Sequence, residues 1–244
     1  MKNLIFIIIT LLVLLLAAWR LIPIEPVILR LADNALEKYD CSLGLDGLEK
    51  GLFLDFSVKR VFIKFAGKEL ISCEDFKTNF NPYMISFAFN GSVLNGRMEG
   101  KYKIFGGLFA ILKGLYLEQL NPDFGVRAKG IINANVENNK IDFWSDKISL
   151  PDLFFEQSIL PLSMFSKIKG TVSVKRDHLL IESAKFEGQI GTAGLKGRIN
   201  RNFLDIIVEF MPAQDELWSS ILADYRIKEN LYRLPVKKNL SIIK

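Results

Sequence analysis

Alternation of apolar and polar side chains is the feature that most constrains this fold, and it recurs from Cys41 to Met211. Successive side chains of a β-strand point to opposite faces, so a two-residue period predicts strands with one apolar face and one solvent-exposed polar face. The alternation is clearest in the segments Leu52–Val58, Val61–Phe65, Phe76–Phe80, Ile85–Phe89, Ile132–Val136 and Leu204–Phe210. The chain is therefore predicted to be mainly β.

Short turn sequences separate these segments at close intervals. Gly, Asn and Asp suit the backbone angles of tight turns, and strands joined by so few residues must be antiparallel. The predicted turns are Ala66–Lys68, Asn90–Gly91, Asn95–Gly96, Glu137–Asn139, Arg176–Asp177 and Asn200–Asn202. The segments Lys129–Ala134 and Lys169–Val174 also share a basic residue, a glycine and an alternating strand. Such repetition predicts an elongated, curved sheet that grows by repeated hairpins.

Two helices are predicted after the N-terminal stretch. Apolar residues at helical spacing indicate an amphipathic helix from Val27 to Tyr39, and an acidic first turn begins a second helix from Asp215 to Ile227. The first helix is interpreted as a lid on one end of the sheet, with a membrane-surface helix as the alternative. Glycines and charges interrupt Phe105–Leu120, which is interpreted as a loop over the sheet, and Leu231–Ile243 is expected to add an edge strand.

The N-terminal stretch from Leu4 to Ile22 is almost entirely apolar. At about 1.5 Å per helical residue it nearly matches a hydrocarbon core of roughly 30 Å, which predicts a membrane-spanning helix. A retained anchor is favoured over a cleaved signal peptide, because a cut after Ala17 or Ala18 would leave leucine where a small residue is needed. The residues that mark this anchor are Leu4, Ile8, Leu12, Leu16 and the interfacial Trp19.

These patterns divide the chain into four parts. They are a transmembrane signal anchor (1–22), a proline elbow with an amphipathic capping helix (23–40), an antiparallel β-domain (41–212), and a C-terminal helix with an edge strand (213–244). Lys2 favours a cytoplasmic N-terminus, so a single pass places the bulk of the chain on the far side of the membrane. The net charge of +5 suits anionic lipid head groups. No helix carries a basic stripe, so nucleic acid is not an expected partner.

Two short helices are too little to cover the apolar face of about ten strands. That face must curl into a groove, pack as a sandwich, or meet a partner or lipid. In a single curved sheet, the alternation directs one set of side chains to the inner side and another to water. The expected inner residues are Phe56, Phe87, Ile132, Val172 and Val208, and the expected outer residues are Lys59, Asn135 and Glu209.

Cys41 and Cys73 are the only cysteines. A compartment beyond the membrane would permit a disulfide between them. Two buried thiols that act as small apolar residues are the alternative.

The sequence offers no constellation of residues typical of catalysis. The only histidine, His178, follows Arg176 and Asp177 in a predicted turn. No histidines or cysteines have the spacing of metal ligands, and no phosphate-binding glycine motif occurs. Neighbouring carboxylates such as Glu74 and Asp75 would point to opposite faces of a strand. A non-enzymatic protein without a cofactor is therefore expected.

The predicted parts follow one another as an anchor, a proline elbow, a short helix and glycine-punctuated hairpins. This order resembles protein N of the type II (general) secretion pathway, in the form related to AsmA-like envelope proteins. The resemblance is carried by Leu160–Ser163, Ile168–Val174, Phe186–Gly188, Gly197–Ile199, and the strand Leu204–Phe210 that ends before Pro212. It implies a β-protein anchored in the bacterial inner membrane, with the bulk of the chain in the periplasm. Its partners would be components of a secretion system or envelope lipids. The first function implied is an accessory or scaffold role in type II secretion, and the alternative is a lipid-binding groove for transport between membranes.

Overall fold

The computed structural model describes residues 21–37, 41–51, 54–65, 67–120, 128–155, 158–160, 162–200 and 203–239. The anchor residues Leu4, Ile8, Leu12, Leu16 and Trp19 lie outside these ranges. Within the ranges, no helix combines the length and the apolar character that crossing a membrane requires.

The described residues form an antiparallel sheet, as the alternation predicts. Their strands are β1 (Cys41–Lys50), β2 (Phe56–Phe65), β3 (Lys68–Asn81), β4 (Ser86–Val93), β5 (Gly96–Lys103), β6 (Gly107–Tyr116), β7 (Lys129–Glu137), β8 (Lys140–Ser149), β9 (Leu153–Phe155), β10 (Ser158–Leu160), β11 (Phe165–Val174), β12 (Leu179–Gly188), β13 (Gly191–Ile199), β14 (Phe203–Pro212), β15 (Arg226–Lys228) and β16 (Leu231–Asn239). Fourteen of them make one sheet in the order β1-β2-β3-β4-β5-β6-β7-β8-β11-β12-β13-β14-β16-β15, while β9 and β10 pair with each other. Short connections make most sheet neighbours consecutive in sequence.

Several predicted turns are confirmed. Leu94 and Asn95 join β4 to β5 with φ angles of 47° and 59°. Asn138 has a φ of 53° in the two-residue link between β7 and β8. These positive angles match the twist of antiparallel hairpins, which explains why asparagine suits these positions.

The turn predicted at Asn90–Gly91 is wrong, because both residues lie inside β4. A Cβ atom at Gly91 would lie 2.5 Å from the Sγ atom of Cys73. The glycine therefore permits close packing between strands and does not make a turn.

Two predicted strand boundaries also differ from the structure. The segment Leu52–Val58 is not one strand, because β2 begins only at Phe56 and Leu54 has a φ of 72°. The Gly51 amide donates to the Asp55 carbonyl at 2.8 Å and closes this turn. The loop predicted over Phe105–Leu120 is instead largely the strand β6.

The first helix begins three residues earlier than predicted, and the second is shorter than predicted. Helix α1 covers Ile24–Leu36, and Pro26 lies in its first turn, where a missing N–H group is tolerated. The proline elbow is thus confined to the start of the helix. Helix α2 covers Asp215–Ile221, and the chain then forms a 3-10 turn and strand β15.

The C-terminal strand is confirmed as β16, in which Pro235 lies opposite Ile207 of β14. Strand β15 pairs with only Leu231 and Tyr232 in the described part of the chain. The remainder of β16 is therefore an edge, where proline is tolerated.

The chain forms two compact units. Among the described residues, the first unit comprises those up to 93 together with 97–107, and the second comprises 94–96 and those from 108 onward. In the first unit, helix α1 contacts β1, and phenylalanine rings pack across β2, β3 and β4. The ring centroids are 6.2 Å apart for Phe56 and Phe76, 6.1 Å for Phe76 and Phe89, and 4.9 Å for Phe80 and Phe87.

The second unit has its own aromatic core. Phe210 packs edge to face against Phe165 at 6.4 Å and against Trp218 of α2 at 5.0 Å. Phe165, Phe210 and Tyr232 are completely buried, and Leu222, which follows α2, is buried beside them. Helix α2 therefore covers one end of the apolar face of this unit.

Candidate binding surfaces

Two surfaces of the second unit are candidates for binding, and they lie on opposite faces of the same strands. Residues that are directly opposite each other in an antiparallel ladder share a face, so the strand register assigns each side chain to one of them.

The first surface consists of two apolar rows that each cross eight strands. The first apolar row contains Ala110, Val136, Ile141, Val172, Ile181, Gly197, Ile206 and Val236. The second apolar row contains Leu112, Ala134, Phe143, Gly170, Ala184, Leu195, Val208 and Leu234. No polar side chain interrupts either row. We call the two rows together the apolar face.

The five predicted inner residues are distributed over both units. Val172 lies in the first apolar row and Val208 in the second. Ile132 precedes Ala134 by two residues on β7 and so shares its face. Phe56 and Phe87 belong to the first unit, where both contribute to the phenylalanine packing across β2, β3 and β4.

The predicted outer residues point away from these apolar side chains. Asn135 lies opposite Asp142, and Glu209 lies opposite Arg233, on the other face of the second unit. Lys59 is exposed beside the buried Val58 in the first unit.

Burial varies along the apolar face. Val208 is buried close to the end that α2 covers. Further along, Ile141, Phe143, Val172 and Ile181 are only half-buried. An apolar ligand laid over this half-buried part would remove more of its surface from water, and such burial is favourable.

The second surface is a groove of about 800 Å³ on the opposite face. One cross-strand row runs through it and contains Trp144, Lys169, Lys185, Gly194, Glu209 and Arg233. Thr171, Ser183, Lys196 and Ile207 also line the groove. We call this surface the basic groove. Sequence reasoning missed it, because only the strand register brings its cations, from β11, β12, β13 and β16, to one face.

Charges in the basic groove are unevenly matched. Arg233 contacts Glu209 at 2.7 Å, and Lys185 contacts Glu187 at 2.8 Å. The hydrogen bond and charge of Lys185 lower the pKa of the Glu187 carboxyl. Lys169 and Lys196 have no ion-pair partner among the described residues. Four cations and two carboxylates line the groove, so it carries an excess of positive charge; they are Lys169, Lys185, Lys196 and Arg233 against Asp142 and Glu209.

No disulfide joins Cys41 and Cys73 in the described structure. Cys41 lies opposite Phe65 of β2, whereas Cys73 lies opposite Val61. Four residues along a strand span about 13 Å, and the cysteines flank β2 on opposite sides, so the gap exceeds the reach of a disulfide. Burial, with the nearby Glu74 and Asp75 charges, raises the pKa of the Cys73 thiol to about 11.

The titratable residues considered in the sequence are not brought together. His178 lies in the turn after β11, where its Nδ1 atom is 2.8 Å from the Asp177 carboxylate. Glu74 lies opposite Arg60 and Ser92, and Asp75 has a φ of 50° at an irregularity in β3. The described residues contain no cluster of His, Cys, Asp and Glu that fits a metal ion.

Comparisons with family models, with curated proteins and with solved structures find no match to this chain.

Proposed function

We propose that this chain is a non-enzymatic protein, anchored in the bacterial inner membrane, whose apolar face holds the acyl chains of envelope lipids in the periplasm. The observation that carries this proposal is the pair of apolar rows across eight strands, in which the large side chains of Ile141, Phe143, Val172 and Ile181 are only half-buried.

The physical reason is that the described residues supply little structure to cover the sheet. A sheet normally buries its apolar face against a second layer, but α2 has only seven residues. Transfer of a methylene group from water to an apolar surface is worth about 0.8 kcal/mol. Contact with about eight methylenes of an acyl chain would therefore contribute roughly 6 kcal/mol before the entropy cost of binding.

The test places a photoreactive benzoylphenylalanine at Val172 on the apolar face of the full chain in bacterial cells. A matched variant carries the same photoreactive residue at Asn135 of β7, which points to the opposite face of the sheet. After irradiation, mass spectrometry of the purified protein should find a lipid adduct at position 172 and little or none at 135. Equal labelling at both positions, or no lipid at 172, would reject lipid binding by this face.

A scaffold role in type II secretion is the second candidate. The segments that carry the resemblance to protein N fall largely on four consecutive strands, β11 to β14, which form one continuous part of the sheet. Crosslinking in intact cells should then capture a secretion component, and deletion of the protein should impair export. Normal export without the protein, together with no captured component, would count against this role.

A further inference from the structure

The first unit displays an apolar cluster at the ends of two neighbouring hairpins. Residues 82–85 connect β3 to β4, and residues 104–106 connect β5 to β6. Tyr83 is 97% exposed and Phe105 is 89% exposed, while Met84, Ile85 and Ile104 are also exposed. The two turns adjoin, because the Ile104 amide donates to the Ile85 carbonyl at 3.2 Å. We call these five residues the hairpin tip.

The backbone of the hairpin tip is held in place. The Oδ1 atom of Asn81 accepts hydrogen bonds from the amides of Tyr83 at 3.0 Å and Met84 at 3.2 Å. These bonds fix a turn whose aromatic side chain points into solvent. Single exposed apolar residues are common, but a contiguous group of large ones marks an interaction surface.

The chemistry around the hairpin tip suits a lipid interface. The Lys101 ammonium lies 3.2 Å from the Met84 sulfur, and Lys103 packs beside Gly106. Aromatic side chains favour the interfacial layer of a bilayer, and nearby lysines attract anionic head groups.

The start of the described chain lies at the same end of the first unit. The Lys50 ammonium donates to the carbonyl of Ile22, and Lys50 is the last residue of β1. Because the strands are antiparallel, the end of β1 lies at the same end of the sheet as the start of β2, the end of β3 and the end of β5. Leu21 and Ile22, the last two residues of the stretch predicted to span the membrane, are exposed there.

We propose that the hairpin tip inserts into the head-group layer of the membrane in which the N-terminal stretch is predicted to be anchored. Tyr83 and Phe105 would lie among head groups and upper acyl chains, and Lys101 and Lys103 would contact lipid phosphates. This inference shares the membrane location of the proposed function, but it does not depend on lipid binding by the apolar face.

The experiment uses the full chain reconstituted in vesicles of phosphatidylethanolamine and phosphatidylglycerol. Benzoylphenylalanine replaces Phe105 or Tyr83, and the matched control carries it at Lys68, an exposed residue at the opposite end of β3. Lipid adducts should be at least about tenfold more abundant at positions 105 and 83 than at 68. Equally low yields at all three positions, or adducts formed only with protein, would overturn the proposal.

The outcome separates this inference from the proposed function. Lipid adducts at position 105 without any at Val172 would support docking of the tip and reject the acyl-chain site. Lipid adducts at Val172 without any at position 105 would support the acyl-chain site and reject docking of the tip.

A second inference comes from the basic groove of the second unit. Lys169 and Lys185 lie directly opposite each other on β11 and β12, and of the two only Lys185 has an ion pair within the described part of the chain, with Glu187. Lys196 adds a further cation without an ion pair among the described residues. We infer that this groove binds a phosphate-bearing anion, which would accept hydrogen bonds from the ammonium groups of Lys169 and Lys196.

Other features of the groove fit such a ligand. Thr171 and Ser183 line it, with the Thr171 hydroxyl donating to the Asp142 carboxylate at 2.5 Å, and Trp144 and Ile207 expose apolar surface beside the cations. A Cβ atom at Gly194 would meet only the Glu209 carbonyl, at 3.9 Å, so Gly194 leaves space over the strands. An anion with a small organic portion could occupy that space.

Calorimetry on the full chain in detergent tests this inference with two probes, glycerol 3-phosphate and dihexanoyl phosphatidylglycerol. Lys169→Gln and Gly194→Val should each weaken binding of the preferred probe at least about tenfold. Lys175→Gln, in the exposed turn after β11, should leave it unchanged.

Tighter binding of dihexanoyl phosphatidylglycerol would show that the groove takes the phosphate of a lipid head group. Tighter binding of glycerol 3-phosphate would show that it takes a free organic phosphate. Absence of binding by both probes, or binding that neither groove variant weakens, would overturn the inference. Gly194→Val fills open space in a strand, so its effect on binding is separable from folding.

Discussion

Truncation of Phe210 tests the core of the second unit most directly. Phe210 is completely buried and packs edge to face against Phe165 and Trp218. A buried aromatic side chain removes roughly 150–250 Å² from water at about 25 cal/mol per Å². Phe210→Ala would lose most of that contribution, together with two aromatic contacts worth about 0.5–1.5 kcal/mol each.

The expected loss in the free energy of unfolding is about 4–5 kcal/mol, near the upper end for such truncations. This is a large part of the 5–15 kcal/mol typical of a domain. With a urea dependence of about 2 kcal/mol per molar, the midpoint should fall by roughly 2 M. Tryptophan fluorescence of the full chain in detergent can follow the transition, because Trp218 contacts the altered side chain.

Met211→Ala is the matched control, because Met211 is the next residue of β14 and is 52% exposed on the other face. Its substitution should change the unfolding free energy by no more than about 0.5 kcal/mol. Equal midpoints for the two variants would refute the assignment of faces in β14 and the cover supplied by α2.

The remaining predictions concern the apolar face and the cysteines. Val172→Asp should lower the thermal midpoint of the full chain far more than Lys175→Asp, because a carboxylate would enter the apolar face, and equal midpoints would contradict that placement. Maleimide should label Cys73 much more slowly than Cys41 at pH 8, because a pKa of about 11 makes the Cys73 thiolate about 100-fold scarcer than at the ordinary value of 9.0. The same raised pKa stabilises the folded state below about pH 9, and this contribution should be lost as the pH rises towards 11. Urea midpoints of the wild type and Cys73→Val, measured across this pH range, test the loss.

Local sequence determined that the fold is mainly β and how many of the consecutive strands are connected. A period of two follows from the geometry of any strand, and asparagine-rich turns between Leu94 and Gly96 and between Glu137 and Lys140 fix antiparallel hairpins locally. Those features depend only on neighbours in the chain, so they could be predicted without tertiary structure.

Strand β6 shows where local pattern fails. Gly114 has a φ of 67°, and the pairing of β6 with β7 shifts between Leu112 and Leu115. A bulge inserts an extra residue and breaks the two-residue period, so the segment resembled a loop. At Gly91 the local pattern predicted a turn inside a strand, because the sequence does not show that this glycine is needed for close packing against Cys73.

The candidate surfaces depended on register, which only the tertiary structure decided. The alternation placed Val172 and Val208 on apolar sides of their own strands, but it did not show that their rows cross eight strands. The basic groove combines residues from Trp144 to Arg233, and the hairpin tip combines two turns that are some twenty residues apart. A shift of one residue in any pairing would disperse these groups, because neighbouring side chains on a strand point to opposite faces.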